Sequence, residues 1–367
     1  MIGIIADVHL HPHKSFATID ENGFNSRVEE ALFTLQQVVD ECSHRGVAHL
    51  YIAGDLFHVG KRTDVTFFNH VRFSLRRIFS TLKRVTIIEG NHDRVDKLIP
   101  GKSILHMLHI DNVNIVSNLG VFHEDFDDIP GGYNVVVAPY TENSEALERG
   151  VKLCIDELSP VDRLRTTIMI GHLAVGGAKT DRFEYQPAVE TNAGMLIQDP
   201  VIQFVFLGHY HRHQMLNSRM MYVGSPLTHD FGESGQDKGM VFVDFVDGQA
   251  VPEFFALHGS TKYDVITPEA LEGDQSQYTY LNTIVRVDYT GALNERDVEE
   301  QLKKLGAKEV VFNNQPDTVQ EERVTESAEG GEPSTAEYMQ AYVDTHGSGM
   351  DPERLMAIGL KLVGDGS

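Results

Sequence analysis

The chain has 367 residues, of which 41% are hydrophobic and 23% charged. This length suits two domains with an appendage, and the composition excludes wholesale disorder. Acidic residues number 54 against 31 basic ones, a net charge of −23. That balance excludes a grip on nucleic acid by bulk attraction and leaves a local basic strip, bound cations or a partner for any such role.

Short apolar runs recur along the first two hundred residues. MIGIIA (1–6), AHLYIA (48–53), RVTIIE (84–89), YNVVVAP (133–139), TTIMIG (166–171) and IQFVFLG (202–208) read as buried strands. Between them, 25–45, 64–82 and 143–158 have helical spacing; in the first, Val28, Ala31, Leu32, Leu35, Val38 and Val39 make one apolar face. Alternating strands and helices predict a layered α/β sandwich. Beyond residue 214 the pattern turns to hairpins at 220–224, 240–245 and 251–257, so the sheets are expected to be mixed. Residues 258–280 are polar and rich in turn formers. A small α+β cap follows, with strands at 282–289 and 308–313 around a helix at 294–305. The expected division is a catalytic domain at 1–265, the cap at 266–313, an acidic flexible linker at 314–336 and a helical tail at 337–367.

No apolar run approaches the roughly 18 residues that cross a bilayer. The run before Asp7 is too short for a secretory signal, and Cys42 and Cys154 make no disulfide framework. The expected compartment is the cytoplasm, with no membrane partner.

Five of the strand candidates end in residues able to bind metal. They are Asp7-Val8-His9, Gly54-Asp55, Gly90-Asn91-His92-Asp93, Gly171-His172 and Gly208-His209-Tyr210-His211. Ligands gather beyond the carboxyl ends of strands in α/β sheets. Four of the five endings follow a glycine, which lets the backbone turn and carry the next side chain to the rim. One such ending is weak; five in one chain point jointly to a metal centre. Mixed imidazole, carboxylate and amide donors suit Mn, Fe or Zn, whereas thiolates are absent and an oxygen-only Mg or Ca site does not use so many imidazoles. A carboxylate can bridge two cations about 3.5–4 Å apart, which then clamp a phosphate.

This set of motifs resembles the calcineurin-like metallophosphoesterases over roughly residues 1–260. Two details narrow the likeness. Gly54-Asp55-Leu56-Phe57-His58 is similar to the Asp-Leu-Phe-His form of the SbcD-type DNA repair nucleases, the meiotic-recombination nuclease family; the Asp-Arg-Gly of protein phosphatases is absent. Tyr222-Val223-Gly224-Ser225-Pro226 is similar to a Tyr-x-Gly-Ser/Thr-Pro segment of the same nucleases. The short cap and acidic linker look most like the phage recombination endonuclease subunits, in which case the compartment is the host cytoplasm.

The resemblance implies a metallophosphoesterase fold with two divalent cations, Mn²⁺ first among them. Asp7, His9, Asp55 and His211 would hold one, and Asp55, Asn91, His172 and His209 the other, with Asp55 as bridge. His92 would protonate the leaving oxygen, Asp93 would fix the His92 tautomer, and His58 would position the phosphate. The implied activity is that of an exonuclease and endonuclease in an SbcCD-like double-strand-break repair complex. The implied partners are DNA, a coiled-coil SbcC-type ABC ATPase held by the tail, and a second copy of the chain through the helix bearing Phe67, Phe68, Val71, Phe73 and Leu75. The alternatives are a phosphodiesterase acting on a nucleotide or phosphoprotein, and a non-catalytic DNA-binding subunit.

Other residues admit two readings. His11 and His13 are either a loop at the metal mouth or a plain polar loop. His213 is an outer neighbour of the last motif or an ordinary strand residue. Arg94 and the pair Lys179 and Arg182 are DNA contacts or solvated charges, and the cluster Arg72, Arg76, Arg77, Lys83 and Arg84 is a solvated face or a DNA or dimer surface.

Overall fold

The structure is a computed structural model that describes residues 1–47, 49–58, 63–95, 101–126, 129–179, 191–272 and 279–315. The expected tail and nearly all of the expected linker lie outside them. In chain order the elements are β1 (Ile2–Ile5), α1 (Ser26–His44), β2 (His49–Ile52), α2 (Val65–Phe79), β3 (Arg84–Ile88), β4 (Val113–Val116), β5 (Gly120–Phe126), β6 (Ile129–Ala138), α3 (Ser144–Asp156), β7 (Thr166–His172), α4 (Ala193–Leu196), β8 (Ile202–Gly208), β9 (Gln214–Asn217), β10 (Met220–Tyr222), β11 (Gly239–Val246), β12 (Gln249–Ala256), β13 (Lys262–Ile266), β14 (Thr283–Tyr289), α5 (Glu295–Lys304) and β15 (Glu309–Asn314). No helix among the described residues is long and apolar enough to cross a membrane.

Two six-stranded mixed sheets form the body. The first runs β12-β11-β1-β2-β3-β4, with β1 to β4 parallel and β11 antiparallel to β1. The second runs β5-β6-β7-β8-β10-β9, parallel from β6 to β10 with an antiparallel strand at each edge. Alternation along the strands sorts side chains to two faces. In β2, Leu50 and Ile52 meet the helices, while Tyr51 faces the other sheet. The inter-sheet core joins Ile2, Ile4 and Ile88 of the first sheet to Val135, Ile168 and Phe206 of the second. Helices α1 and α2 cover the first sheet and α3 the second, which gives four layers.

The helices start where their caps stand. Asn25 accepts from the backbone N–H of Arg27 and Val28, Asp64 from that of Phe67, and Asn143 from that of Ala146. Val28, Ala31, Leu35, Val38, Val39 and Cys42 are the buried stripe of α1. The layered α/β sandwich with mixed sheets expected from the alternation is the fold observed. Strands β4 and β5 escape a pattern reading because they are short or polar edge strands; β5 carries His123, Glu124 and Asp125.

The third sheet, β13-β14-β15, is wholly parallel and packs on α5 around Val285, Val287 and Leu302. It begins at Lys262, so its first strand spans the position where sequence alone drew the start of the cap.

One buried hydroxyl ties the second sheet's loops together. Tyr222 Oη accepts from the Val175 N–H at 2.9 Å and donates to the Leu173 carbonyl at 2.8 Å, just beyond His172. Tyr222→Phe leaves both backbone groups buried without a partner. We expect a loss of about 1–3 kcal/mol, read as a lower urea midpoint at unchanged slope; an unchanged midpoint refutes the clamp.

Candidate metal centre

The residues that point to metal in the sequence lie at one end of the sandwich. Asp7, Asp55 and Asn91 follow β1, β2 and β3, neighbours in the first sheet; His172 closes β7 and His209 follows β8, neighbours in the second. The chain leaves the strands abruptly. Asp7, His9, Asp55 and His209 have φ of 56°, 53°, 52° and 107°, a region that side chains other than glycine seldom occupy and that costs about 1–3 kcal/mol per residue. Backbone bonds between the first two motifs hold the turns: Asp7 N–H to Gly54 O at 3.1 Å, His9 N–H to Asp55 O at 3.0 Å and Leu10 N–H to Leu56 O at 2.9 Å. Glycine is required at three of the turns, Gly54, Gly90 and Gly208, the last because a Cβ there would stand 2.1 Å from the Ala53 carbonyl. A Cβ on Gly54 would stand 2.1 Å from His172 Nδ1, and one on Gly90 would stand 2.1 Å from Asp55 Oδ1.

All seven expected ligands converge. One donor atom from each of Asp7, His9 and His211 lies within 4.8 Å of the others, and the same holds for Asp7, Asp55 and His172. His9 Nε2 is 3.0 Å from His211 Nε2. Asn91 Oδ1 is 3.0 Å from His172 Nε2 and 3.1 Å from His209 Nδ1. Asp55 Oδ2 stands between the two groups, 3.8 Å from His9 Nε2 and 3.2 Å from His172 Nε2.

The donor chemistry fits cations. His172 Nδ1 lies 2.8 Å from the Ala53 carbonyl and His211 Nδ1 lies 2.6 Å from Glu233 Oε1. Each therefore carries a proton on Nδ1 and turns Nε2 toward other acceptors, where either a second proton or a cation would supply the positive charge. Acceptor facing acceptor is repulsive until positive charge lies between them. The electrostatics agree. Burial disfavours a charged His172, yet the Asp55 carboxylate outweighs it and lifts its pKa to about 9. Asp55 is in turn drawn down to about 2 against its own burial, by His172 first. Burial lowers His9 well below the usual value, and with His172 brings His209 to about 3, so both rings are neutral, as ligands must be. Burial raises Asp7 to about 6.

Asp93 does a different job from the one expected of it beside His92. Its Oδ2 accepts from the N–H of Asp55 and of Gly90, each at 3.0 Å, and its Oδ1 from that of Phe57 at 2.8 Å. The carboxylate thus pins the third motif to the second. Three residues outside the sequence reading complete the centre. Glu233, fully buried, holds His211 through Oε1 and receives the His229 N–H at 2.9 Å and Lys238 Nζ at 2.8 Å through Oε2. Lys238 Nζ also donates to Ser225 Oγ at 2.9 Å and to the His211 carbonyl at 3.2 Å, which gives the Tyr-Val-Gly-Ser-Pro segment a role. His229 Nε2 donates to the Asp7 carbonyl at 2.9 Å. Burial alone would raise Glu233, but the His211 hydrogen bond and the charges of His229 and Lys238 hold it below the ordinary range.

At the mouth, the His58 ring stacks on that of His92 with centroids 4.2 Å apart, and His58 Nδ1 lies 3.0 Å from His9 Nδ1. His92 is half-buried, and its N–H donates to Asp55 Oδ1 at 2.8 Å. His11 and His13 do line this mouth: His11 bonds the His9 carbonyl at 2.8 Å and lies 4.8 Å from the His58 ring and 3.7 Å from that of His13. His213 turns away, bonded to the Tyr222 and Val223 carbonyls and stacked on Phe254. Arg94 is not a surface charge, since it is buried in an ion pair with Glu89. In the basic cluster, Arg76 bonds the His109 carbonyl and Arg84 pairs with Glu124. Lys179 is exposed at the other edge, and Arg182 lies outside the described residues.

Comparison with known proteins agrees with this geometry. The calcineurin-like phosphoesterase family matches residues 1–213. Among solved structures, a dimetal phosphatase from Danio rerio matches at 11% identity and TM-score 0.41, over 70% of this chain and 95% of that one. The protein TT1561 of Thermus thermophilus matches at 12% identity and TM-score 0.39, over 69% and 97%. A purple acid phosphatase from yellow lupin seeds matches at 14% identity and TM-score 0.36, over 70% of this chain and 46% of that one. Likenesses this distant assign no role to any residue.

Glu233→Gln removes the charge that holds the His211 ring. We expect Mn²⁺ affinity to fall about 10–100-fold in calorimetric titration, with the fold intact by circular dichroism. Unchanged affinity would refute the role given to Glu233.

Proposed function

The chain belongs to the calcineurin-like phosphoesterase family, and from that premise we propose that it is the Mn-dependent DNA nuclease of an SbcCD-like repair and recombination complex. At the coarser level it is a metal-dependent phosphoesterase. Asp7, His9, Asp55 and His211, and Asp55, Asn91, His172 and His209, would hold two divalent cations, which would supply charge for the non-bridging oxygens of a phosphodiester and acidify water. The remaining work falls to the chain's own groups. His92 gives a proton to the departing oxygen; its backbone bond to Asp55 Oδ1 keeps the ring beside the carboxylate between the two ligand sets. His58, not a ligand in this reading, orients the phosphate from the stacked position next to His92.

The observation that carries the nuclease reading is that placement of His58, the last residue of the Asp-Leu-Phe-His run, at the mouth beside His92. The small cap sheet is the DNA-binding element in this reading. In this reading a second copy of the chain docks on α2, where Phe73 is exposed. Residues 337–367 hold the SbcC-type ATPase, and the cytoplasm is the compartment.

End-labelled linear duplex DNA with Mn²⁺ tests the activity, beside a small chromogenic phosphodiester. We expect DNA cleavage, lowered about 10²–10⁴-fold in His92→Ala with two metals per chain retained by emission spectrometry. Turnover of the small diester without DNA cleavage favours the nucleotide or phosphoprotein alternative. Removal of 337–367 is expected to abolish pull-down of the ATPase while basal cleavage persists. Pull-down that survives the truncation defeats that assignment.

A further inference from the structure

A cavity of about 490 Å³ opens beside the metal centre and takes no part in the hydrolysis described above. Its near wall is the centre's own surround: His11, which bonds the His9 carbonyl, and His229, which bonds the Asp7 carbonyl. Its far wall is aromatic. Phe16, Phe231 and Tyr263 lie edge to face, with ring centroids 5.2–5.8 Å apart. Phe16 and Phe231 remain half-open to the cavity, so the trio does not close on itself. Phe16 has φ 56°. For a bulky aromatic residue that is a true outlier, and such backbone persists where surroundings or function demand it.

Arg27 supplies the polar element. It lines the cavity, is 6% exposed, and lies 4.9 Å over the Tyr263 ring. Nη1 donates to Tyr263 Oη, and Nη2 donates to the Thr228 and His229 carbonyls at 3.3 Å. Nε is buried with no acceptor among the described residues. A buried N–H without an acceptor is expensive, so the site is incomplete without a ligand atom that accepts. Aromatic faces with one buried donor suit a planar ring with an acceptor atom at its edge. Lys14, His13 and Asp230 also line the cavity, so a second phosphate is the rival occupant, and the rings of Phe16, Phe231 and Tyr263 are what favours a base over it.

We propose that this cavity seats the nucleobase of the nucleotide whose phosphate lies on the metal centre, stacked on one of the perpendicular rings of Phe16 and Phe231 and met edge-on by the other, with Arg27 donating to its edge. The proposal rests on the phosphodiesterase reading of the adjacent site. The cavity therefore gives the enzyme a preference for nucleoside phosphates over other esters. It is independent of the sequence of the DNA, because every base offers a stacking face.

Calorimetry of deoxyguanosine 5′-monophosphate and of deoxyribose 5-phosphate on the full-length, Mn²⁺-loaded protein decides it. The base is expected to tighten binding at least roughly tenfold, as stacking of one base does elsewhere. Phe16→Leu and Phe231→Leu keep apolar volume but remove the stacking face, and each should erase most of that difference. Equal affinity for the two ligands overturns the proposal, as does a difference that survives both substitutions. Hydrolysis of bis(p-nitrophenyl) phosphate by the same samples tests the underlying reading separately: no turnover sinks the phosphodiesterase reading, while the affinity ratio still judges the cavity.

Discussion

The constraint on which this structure depends is a surplus of acceptors. Two carboxylates, an amide oxygen and four imidazoles crowd into one end of a sandwich, with most of them removed from water. Such a set does not stay together by itself, because lone pairs meet lone pairs. The rise of His172 and the fall of Asp55 show what the arrangement asks for, which is positive charge between them. The strained turns at Asp7, His9, Asp55 and His209, and the glycine at 54 that lets His172 approach, all serve to keep the acceptors this close. The four-layered core is the rigid frame that tolerates the strain, since its strands are buried on both faces.

Much of this was legible in the residues. Strands with a glycine and a ligand type at the carboxyl end are local patterns, and a parallel sheet brings such ends to one rim whatever the loops do. That is why Asp7, Asp55, Asn91, His172 and His209 are found together, and why the sandwich follows from alternation. What escaped is non-local or directional. Glu233 meets His211 across 22 positions, and nothing near Glu233 in sequence marks it. Asp93 is next to His92 in sequence, but adjacent residues on an irregular turn point different ways, and its carboxylate goes to backbone N–H groups. Arg94 looks like a free cation until Glu89, five residues back, is seen to be its buried partner. Strand β5 is polar because it is an edge, where alternation gives way to charge.

The histidine surplus has a physical account too. Beyond the four ligand imidazoles, His58, His92, His11, His13 and His229 form a connected array around the centre through ring contacts of 3.7–5.1 Å. Neutral imidazoles can sit this close where ammonium or guanidinium groups would repel both one another and the cations. An acidic chain thereby builds a site for a phosphate ester without a wall of fixed positive charge.

The short turn at 229–234 has a wider consequence. His229 touches Asp7, Glu233 holds His211, Phe231 meets Tyr263, and Ser234 Oγ donates to Asp264 Oδ1 at 2.6 Å. One turn is thus a joint shared by the cation ligands and the third sheet. Thermodynamic linkage makes such a joint two-way. Were the turn to move with the third sheet, cations at Asp7 and His211 would be held differently, and their binding would in turn stiffen the mounting of that sheet.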